Sequence, residues 1–299
     1  MTRHFLSAAD VSSAELYALL DAADEMRRTR ARSQHLAGRT VALIFEKPST
    51  RTRVSFEVGV AELGGQPIVL SGGDLQLGRG ETIEDTARVL SRYCQGIVLR
   101  TFEQNRLERL AAAGTIPVIN ALSDTEHPCQ AVADLQTIRL RRGSLEGTHL
   151  VFVGDGNNVA HSLLLAGALA GMRVTVATPK GYEPDPAVVA RAGELGGAAA
   201  VTNEPLEAAD GADVIYTDVW ASMGQEAEAE GRHRDFAGFQ VDDELVERAA
   251  SDVIVMHCLP AHRGEEIAAS VIDGPRSVVW DQAENRLHAQ KALMAWLLG

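Results

Sequence analysis

The sequence predicts an α/β protein built from two doubly wound parallel-sheet domains with an interdomain cleft. Short apolar runs of strand length alternate with helix-length stretches along the whole chain, and a repeated β-then-α order implies a mostly parallel sheet covered on both faces. The 299 residues reach the roughly 250–300 at which a single core stops growing. The expected division is residues 1–140 and 141–299, joined near 135–147. A final helix at about 284–298 is expected to pack back on the first domain.

Taken in order, Ser12 and Glu15 form a capping box that opens a helix to about Arg32. A buried strand follows at 40–45, then a helix at 52–63 closed by Gly64-Gly65. Strands are expected at 67–70, 96–99 and 118–121, with helices at 82–93, 104–113 and 130–142. The second series has strands at 149–153, 173–177, 199–201, 214–217, 253–256 and 278–280. Helices at 159–170 and 185–195 lie among them, and a long amphipathic helix closes the chain. The acidic stretch 224–238, which lacks apolar periodicity, reads as a mobile loop.

A formal net charge of −13 argues against nucleic acid and anionic membrane as partners, because both require a basic surface. Three cysteines, Cys94, Cys129 and Cys258, show neither metal spacing nor a disulfide framework, which fits a reducing, cytoplasmic setting. The N-terminus has no apolar signal region, and no apolar run approaches about 18 residues. No metal or cofactor is expected.

Polar residues recur where strands end. Ser49-Thr50-Arg51-Thr52-Arg53 follows the 40–45 strand. Free backbone N–H groups at a helix start, two hydroxyls and a guanidinium can surround a phosphate; a capped helix with a solvated arginine pair is the plainer reading. Arg100 closes the 96–99 strand. His127-Pro128-Cys129-Gln130 stands at another junction, where Pro128 keeps His127 out of helical geometry. Gly154-Asp155-Gly156-Asn157-Asn158 echoes a dinucleotide loop, but Val159 stands where the third glycine belongs. A nicotinamide cofactor is therefore disfavoured. Asp218 follows the 214–217 strand and suits a cationic amine. Cys258, after 253–256, reads most simply as a small buried hydrophobe. Anion chemistry in the first half, with carboxylate, amide and thiol in the second, suggests one anionic and one amino-acid-like substrate.

These residues resemble a known family. Phe45-Glu46-Lys47-Pro48 with Ser49–Arg53 is similar to the carbamoyl-phosphate signature of the aspartate/ornithine carbamoyltransferase family. His127–Gln130, Asp218 with Ser222-Met223-Gly224, and His257-Cys258-Leu259-Pro260 resemble its ornithine branch. The likeness runs from about Arg3 to the C-terminus. It implies transfer of the carbamoyl group of carbamoyl phosphate to the δ-amine of L-ornithine in arginine biosynthesis, giving L-citrulline and phosphate. It also implies a homotrimer with shared active sites.

By position, Ser49, Thr50, Arg51, Thr52 and Arg100 would bind carbamoyl phosphate, with His127 and Gln130 on its carbamoyl group. Gln76 would reach the phosphate of a neighbouring subunit. Asn158, with Asn157 as the alternative, would bind ornithine together with Asp218, Ser222 and Met223. Cys258, Leu259 and Arg286 would complete the site. Arg51, His127, Asp218 and Cys258 would carry the catalysis. The intact Ser49-Thr50 and Ser222–Gly224 segments favour a free α-amine over an acetylated one. The other readings are a carbamoyltransferase for a different amine and a ligand-binding protein without turnover.

Overall fold

The protein is described from a computed structural model covering residues 2–73, 80–221 and 229–299. The chain divides into two compact units: Met1–Gln136 with Glu284–Gly299, and Thr137–Ala283.

In the first unit a short 3-10 turn, Ala8–Asp10, precedes α1 (Ser13–Thr29). The Ser12 hydroxyl accepts from Glu15 N, and the Glu15 carboxylate accepts from Ser12 N at 2.8 Å. This reciprocal cap is worth on the order of 1 kcal/mol. Arg30 at φ 50 ends the helix, two residues before the expected limit. Then come β1 (Thr40–Phe45), α2 (Thr50–Glu62), β2 (Gln66–Ser71), α3 (Ile83–Tyr93), β3 (Gly96–Arg100), α4 (Gln104–Ala113), β4 (Val118–Leu122) and α5 (Pro128–Arg142). Strand order is β2-β1-β3-β4 with every pairing parallel. Ala42, Ile44, Ile97 and Leu99 from the strands pack with Ile83, Ala87, Leu107 and Leu110 from α3 and α4.

The second unit carries β5 (His149–Val153), α6 (Asn158–Leu169), β6 (Arg173–Ala177), α7 (Pro186–Glu194), β7 (Ala198–Thr202), α8 (Pro205–Ala209) and β8 (Val214–Thr217). It continues with α9 (Ala229–Asp235), α10 (Asp243–Arg248), β9 (Ile254–His257) and α11 (Ala269–Ile272); α12 (Val279–Leu298) ends the chain. Its sheet is also parallel throughout, in the order β7-β6-β5-β8-β9. The two parallel α/β sheets match the fold class read from the sequence. The unit boundaries fall inside α5 and α12.

Two expectations are overturned. Residues 278–280 are not a strand: the backbone makes one bridge, Val255 with Ser277, and α12 starts at Val279. Val279 is buried and Trp280 exposed, as successive positions in a first helical turn allow. The loop expected at 224–238 contains α9. Arg232 in α9 is buried against Asp155 at 2.6 Å, and Phe236 stacks on Trp220. Residues 224–228 lie outside the described residues.

In each sheet the strand order reverses once, between β1 and β3 and between β5 and β8. Loops leave the carboxyl edge in opposite directions there, so a crevice opens at the switch point. Register then fixes what meets at that edge. Phe45 pairs with Arg100, and Thr217 pairs with both Val153 and His257. Gly154, Asp218 and Cys258 therefore emerge side by side.

Candidate active site

In the first unit, Ser49 is the N-cap of α2 and its hydroxyl accepts from Thr52 N at 3.3 Å. Thr50 and Arg51, in the first turn, are exposed, whereas Thr52 is buried. The Thr52 hydroxyl accepts from Arg286 Nη2 at 2.5 Å. A buried guanidinium on the last helix thus meets the helix start that the sequence marks as an anion site. Arg100 is buried at the end of β3.

His127 is buried just before α5. Burial, reinforced by the charges of Arg286 and Arg100, holds its imidazole well below the usual histidine range, so it is neutral near pH 7. Neutral His127 can donate to a carbonyl oxygen without adding a third cation. Gln130 Nε2 donates to Asp134 Oδ1 at 2.8 Å. Its Oε1 is buried and accepts nothing among the described residues, leaving an acceptor suited to an amide N–H. Burial pushes the Cys129 thiol up to about 12, so it stays protonated and donates to Asn120 O at 3.2 Å.

Glu46 and Lys47 brace this edge. Glu46 accepts from Thr101 and from Arg106, the latter at 2.5 and 3.1 Å. Lys47 pairs with Asp124 at 2.5 Å and lies 4.3 Å from the Phe102 ring centre.

In the second unit Asp218 is the hub. Its Oδ1 accepts from Val219 N at 2.8 Å and from Cys258 Sγ at 2.9 Å; Oδ2 accepts from Asn157 Nδ2 at 3.0 Å. A carboxylate offers about four acceptor positions, so these bonds leave room for an ammonium. Asn157 thus bonds the Asp218 carboxylate. Its Oδ1 also caps α6, accepting from Val159 N and Ala160 N. Asn158 is the first residue of α6.

Leu259 stands at φ 60, a left-handed conformation unusual for a side chain of its shape. Its N–H donates to His257 Nδ1 at 2.9 Å, and buried His257 Nε2 meets Glu266 Oε1 at 3.0 Å.

Several supporting residues were missed in the sequence. Asp134 is four residues after Gln130, one helical turn on, and that spacing was a usable signal. Asp155 and buried Arg232, an ion pair 77 residues apart, gave none. Burial pushes the Asp155 carboxyl up, with Arg232 opposing. Gly156 has a packing reason to be glycine: a Cβ there would fall 2.3 Å from Pro184 N. Gln76, Ser222 and Met223 lie outside the described residues.

Two family models match in succession. The carbamoyl-P binding domain of aspartate/ornithine carbamoyltransferase matches residues 3–140, and the Asp/Orn binding domain matches 146–297. The chain belongs to the aspartate/ornithine carbamoyltransferase family. Curated carbamoyltransferases of this family align over nearly the full chain. The ornithine carbamoyltransferase of Parafrankia sp. (strain EAN1pec) is 64% identical, covering 99% of this chain and 96% of that one. That of Acidothermus cellulolyticus is 61% identical, covering 100% and 97%. Among solved structures, the ornithine carbamoyltransferase from Pyrococcus furiosus superposes with a TM-score of 0.95 at 54% identity, covering 99% of this chain and 97% of that one. In the carbamoyltransferase family frame, the α2 edge belongs to the carbamoyl-P domain and the Asp218 hub to the Asp/Orn domain.

Proposed function

We propose that the chain transfers the carbamoyl group of carbamoyl phosphate to the δ-amine of L-ornithine, releasing L-citrulline and phosphate. The observation that carries this reading is the charge arrangement around His127: two buried guanidiniums, Arg100 and Arg286, act on one neutral imidazole. In a chain of net charge −13, that concentration of positive potential suits a dianion next to a carbonyl.

Arg51, Arg100, Ser49, Thr50 and Thr52 hold the phosphate, and Arg286 completes the set through Thr52. His127 donates to the carbamoyl oxygen, and Gln130 Oε1 accepts from the carbamoyl nitrogen. As the tetrahedral intermediate forms, Arg51, Thr52 and His127 stabilise its oxygen charge. Asp218 and an asparagine hold the α-ammonium of ornithine, keeping the carboxylate away from the reacting nitrogen. Cys258 and Leu259 line the path of the side chain.

The δ-amine resembles lysine, with a pKa of about 10.4, so its deprotonation at pH 7.4 costs roughly 4 kcal/mol. Desolvation lowers that cost. The departing phosphate takes the amine proton, so the protein supplies no base. Ser222, Met223 and Gln76 join the site as ligand contacts, Gln76 from a neighbouring subunit of a homotrimer. The three free thiols suit a cytoplasmic enzyme of arginine synthesis.

Citrulline formation from carbamoyl phosphate and ornithine, run against a panel of other amines, tests the reaction. Preferred turnover of putrescine or an acetylated ornithine would overturn the substrate assignment. Light scattering tests the trimer.

A further inference from the structure

The segment after Cys258 ends in donors that the transfer reaction does not use. Glu266 is fully buried. Its Oε1 accepts from the His262 backbone N–H at 2.6 Å and meets His257 Nε2 at 3.0 Å. Its Oε2 is also buried, yet accepts no hydrogen bond among the described residues. That oxygen lies 3.9 Å from His262 Nδ1. Glu265 Oε2 lies 3.5 Å from the same nitrogen and 3.4 Å from Nε2 of His233, on α9. One donor atom each from His262, Glu265 and Glu266 falls within 4.8 Å of the others.

We propose that His262, Glu265 and Glu266, with His233 braced against Glu265, bind one divalent transition-metal ion of the zinc or cobalt class. Imidazole nitrogen with carboxylate oxygen is the donor set that such borderline ions take. Metal–donor bonds of about 2.0–2.2 Å in a tetrahedron set donors about 3.3–3.6 Å apart, a spacing that the 3.4 and 3.5 Å separations here meet and the 3.9 Å one slightly exceeds. Small side-chain movements close that gap. His262 and His233 are exposed, so an ion reaches the cluster from solvent.

A set of solvated ion pairs is the plainer reading, but it leaves the buried Glu266 Oε2 3.9 Å from an imidazole nitrogen, too far for a hydrogen bond. A cation satisfies both. The neighbouring group of Asp218, His257 and Cys258 is a weaker candidate. Both nitrogens of His257 are engaged, one by Leu259 N and one by Glu266, and Asp218 belongs to the substrate site. An ion held by Glu265, which meets His233 of α9 at 3.4 Å, links α9 to the segment carrying Cys258 and Leu259.

The test is a Co²⁺ titration of the full chain, followed by calorimetry and by visible absorption. One ion per chain is expected, with four-coordinate d–d intensity and no thiolate-to-cobalt band. His262→Ala should weaken binding by more than about tenfold, beyond the least that loss of an outer-shell partner costs. His233→Ala and Glu265→Gln should weaken it too, and Cys258→Ser should not. Both histidines are exposed, so circular dichroism should be unchanged; if His262→Ala disturbs the fold, Glu265→Gln gives the same reading. Absence of saturable binding overturns the proposal. So does binding that survives His262→Ala and loses a thiolate band in Cys258→Ser, which places the ion at Asp218.

Discussion

Cys258 Sγ donates to Asp218 Oδ1 at 2.9 Å, because the Thr217–His257 register sets the two residues next to each other at the sheet edge. The thiol therefore orients a carboxylate and has no need to act as a nucleophile. Asp218→Asn should cut kcat/KM for ornithine by about 10- to 150-fold, the equivalent of a charged hydrogen bond worth roughly 1.5–3 kcal/mol. Carbamoyl-phosphate affinity, read by calorimetry, should stay the same. Unchanged ornithine kinetics would remove Asp218 from the site.

Arg286 reaches the Thr52 hydroxyl from the last helix. Arg286→Ala should raise the carbamoyl-phosphate Kd by at least about tenfold, since a charge-assisted bond is lost. Arg286→Lys should recover little, because an ammonium cannot reproduce the planar fork. Thr52→Ser should bind normally and Thr52→Val should not. Equal affinities for those two variants would show that the hydroxyl is idle.

Acid should destabilise the protein through two histidines. Burial holds His127 far below the ordinary value and brings His149 to about 4. Below about pH 6.5 the unfolded chain binds protons that the folded chain refuses. This contribution to stability is complete above pH 6.5 and is lost as the pH falls toward the folded values, at up to about 1.4 kcal/mol per pH unit per group. Thermal unfolding between pH 7 and pH 4 should show a falling Tm, with a shallower fall in His149→Gln. A flat profile in the wild type would contradict the burial argument.

Leu259 keeps its left-handed backbone because His257 Nδ1 accepts its N–H. A residue held in that region costs on the order of 1–3 kcal/mol, so its support matters. His257→Ala removes that acceptor and leaves Glu266 Oε1 with one fewer donor. Urea unfolding should show a loss of roughly 1–3 kcal/mol, together with a higher KM for ornithine. An ornithine KM equal to that of the wild type would separate the Leu259 conformation from substrate binding.

Strands were the most legible elements, because a buried strand in a parallel sheet is a continuous apolar run. β1, β5, β6 and β8 stand at the expected residues. The same cue misread Val278-Val279-Trp280, since a short apolar run cannot separate a strand from a first helical turn. α9 was invisible for a different reason. It is held by Arg232 on Asp155 and by the Trp220–Phe236 stack, contacts that no local periodicity encodes. At the site, strand ends marked Arg100, His127, Asp218 and Cys258 by position alone. Arg286 has no such mark: it lies mid-helix among ordinary polar residues, and only the family resemblance singled it out. That the Asn157 amide reaches Asp218 is a fact of register that spacing cannot supply.

The two ends of the Asn157 amide serve different purposes. The donors of α6 require an oxygen on one side, which fixes the nitrogen toward Asp218. Aspartate would cap the helix equally well but set carboxylate against carboxylate; serine would cap it and fall short of Asp218. A good cap is therefore not interchangeable at this position: a substitution that left the helix start sound would still strip the Asp218 carboxylate of its amide donor.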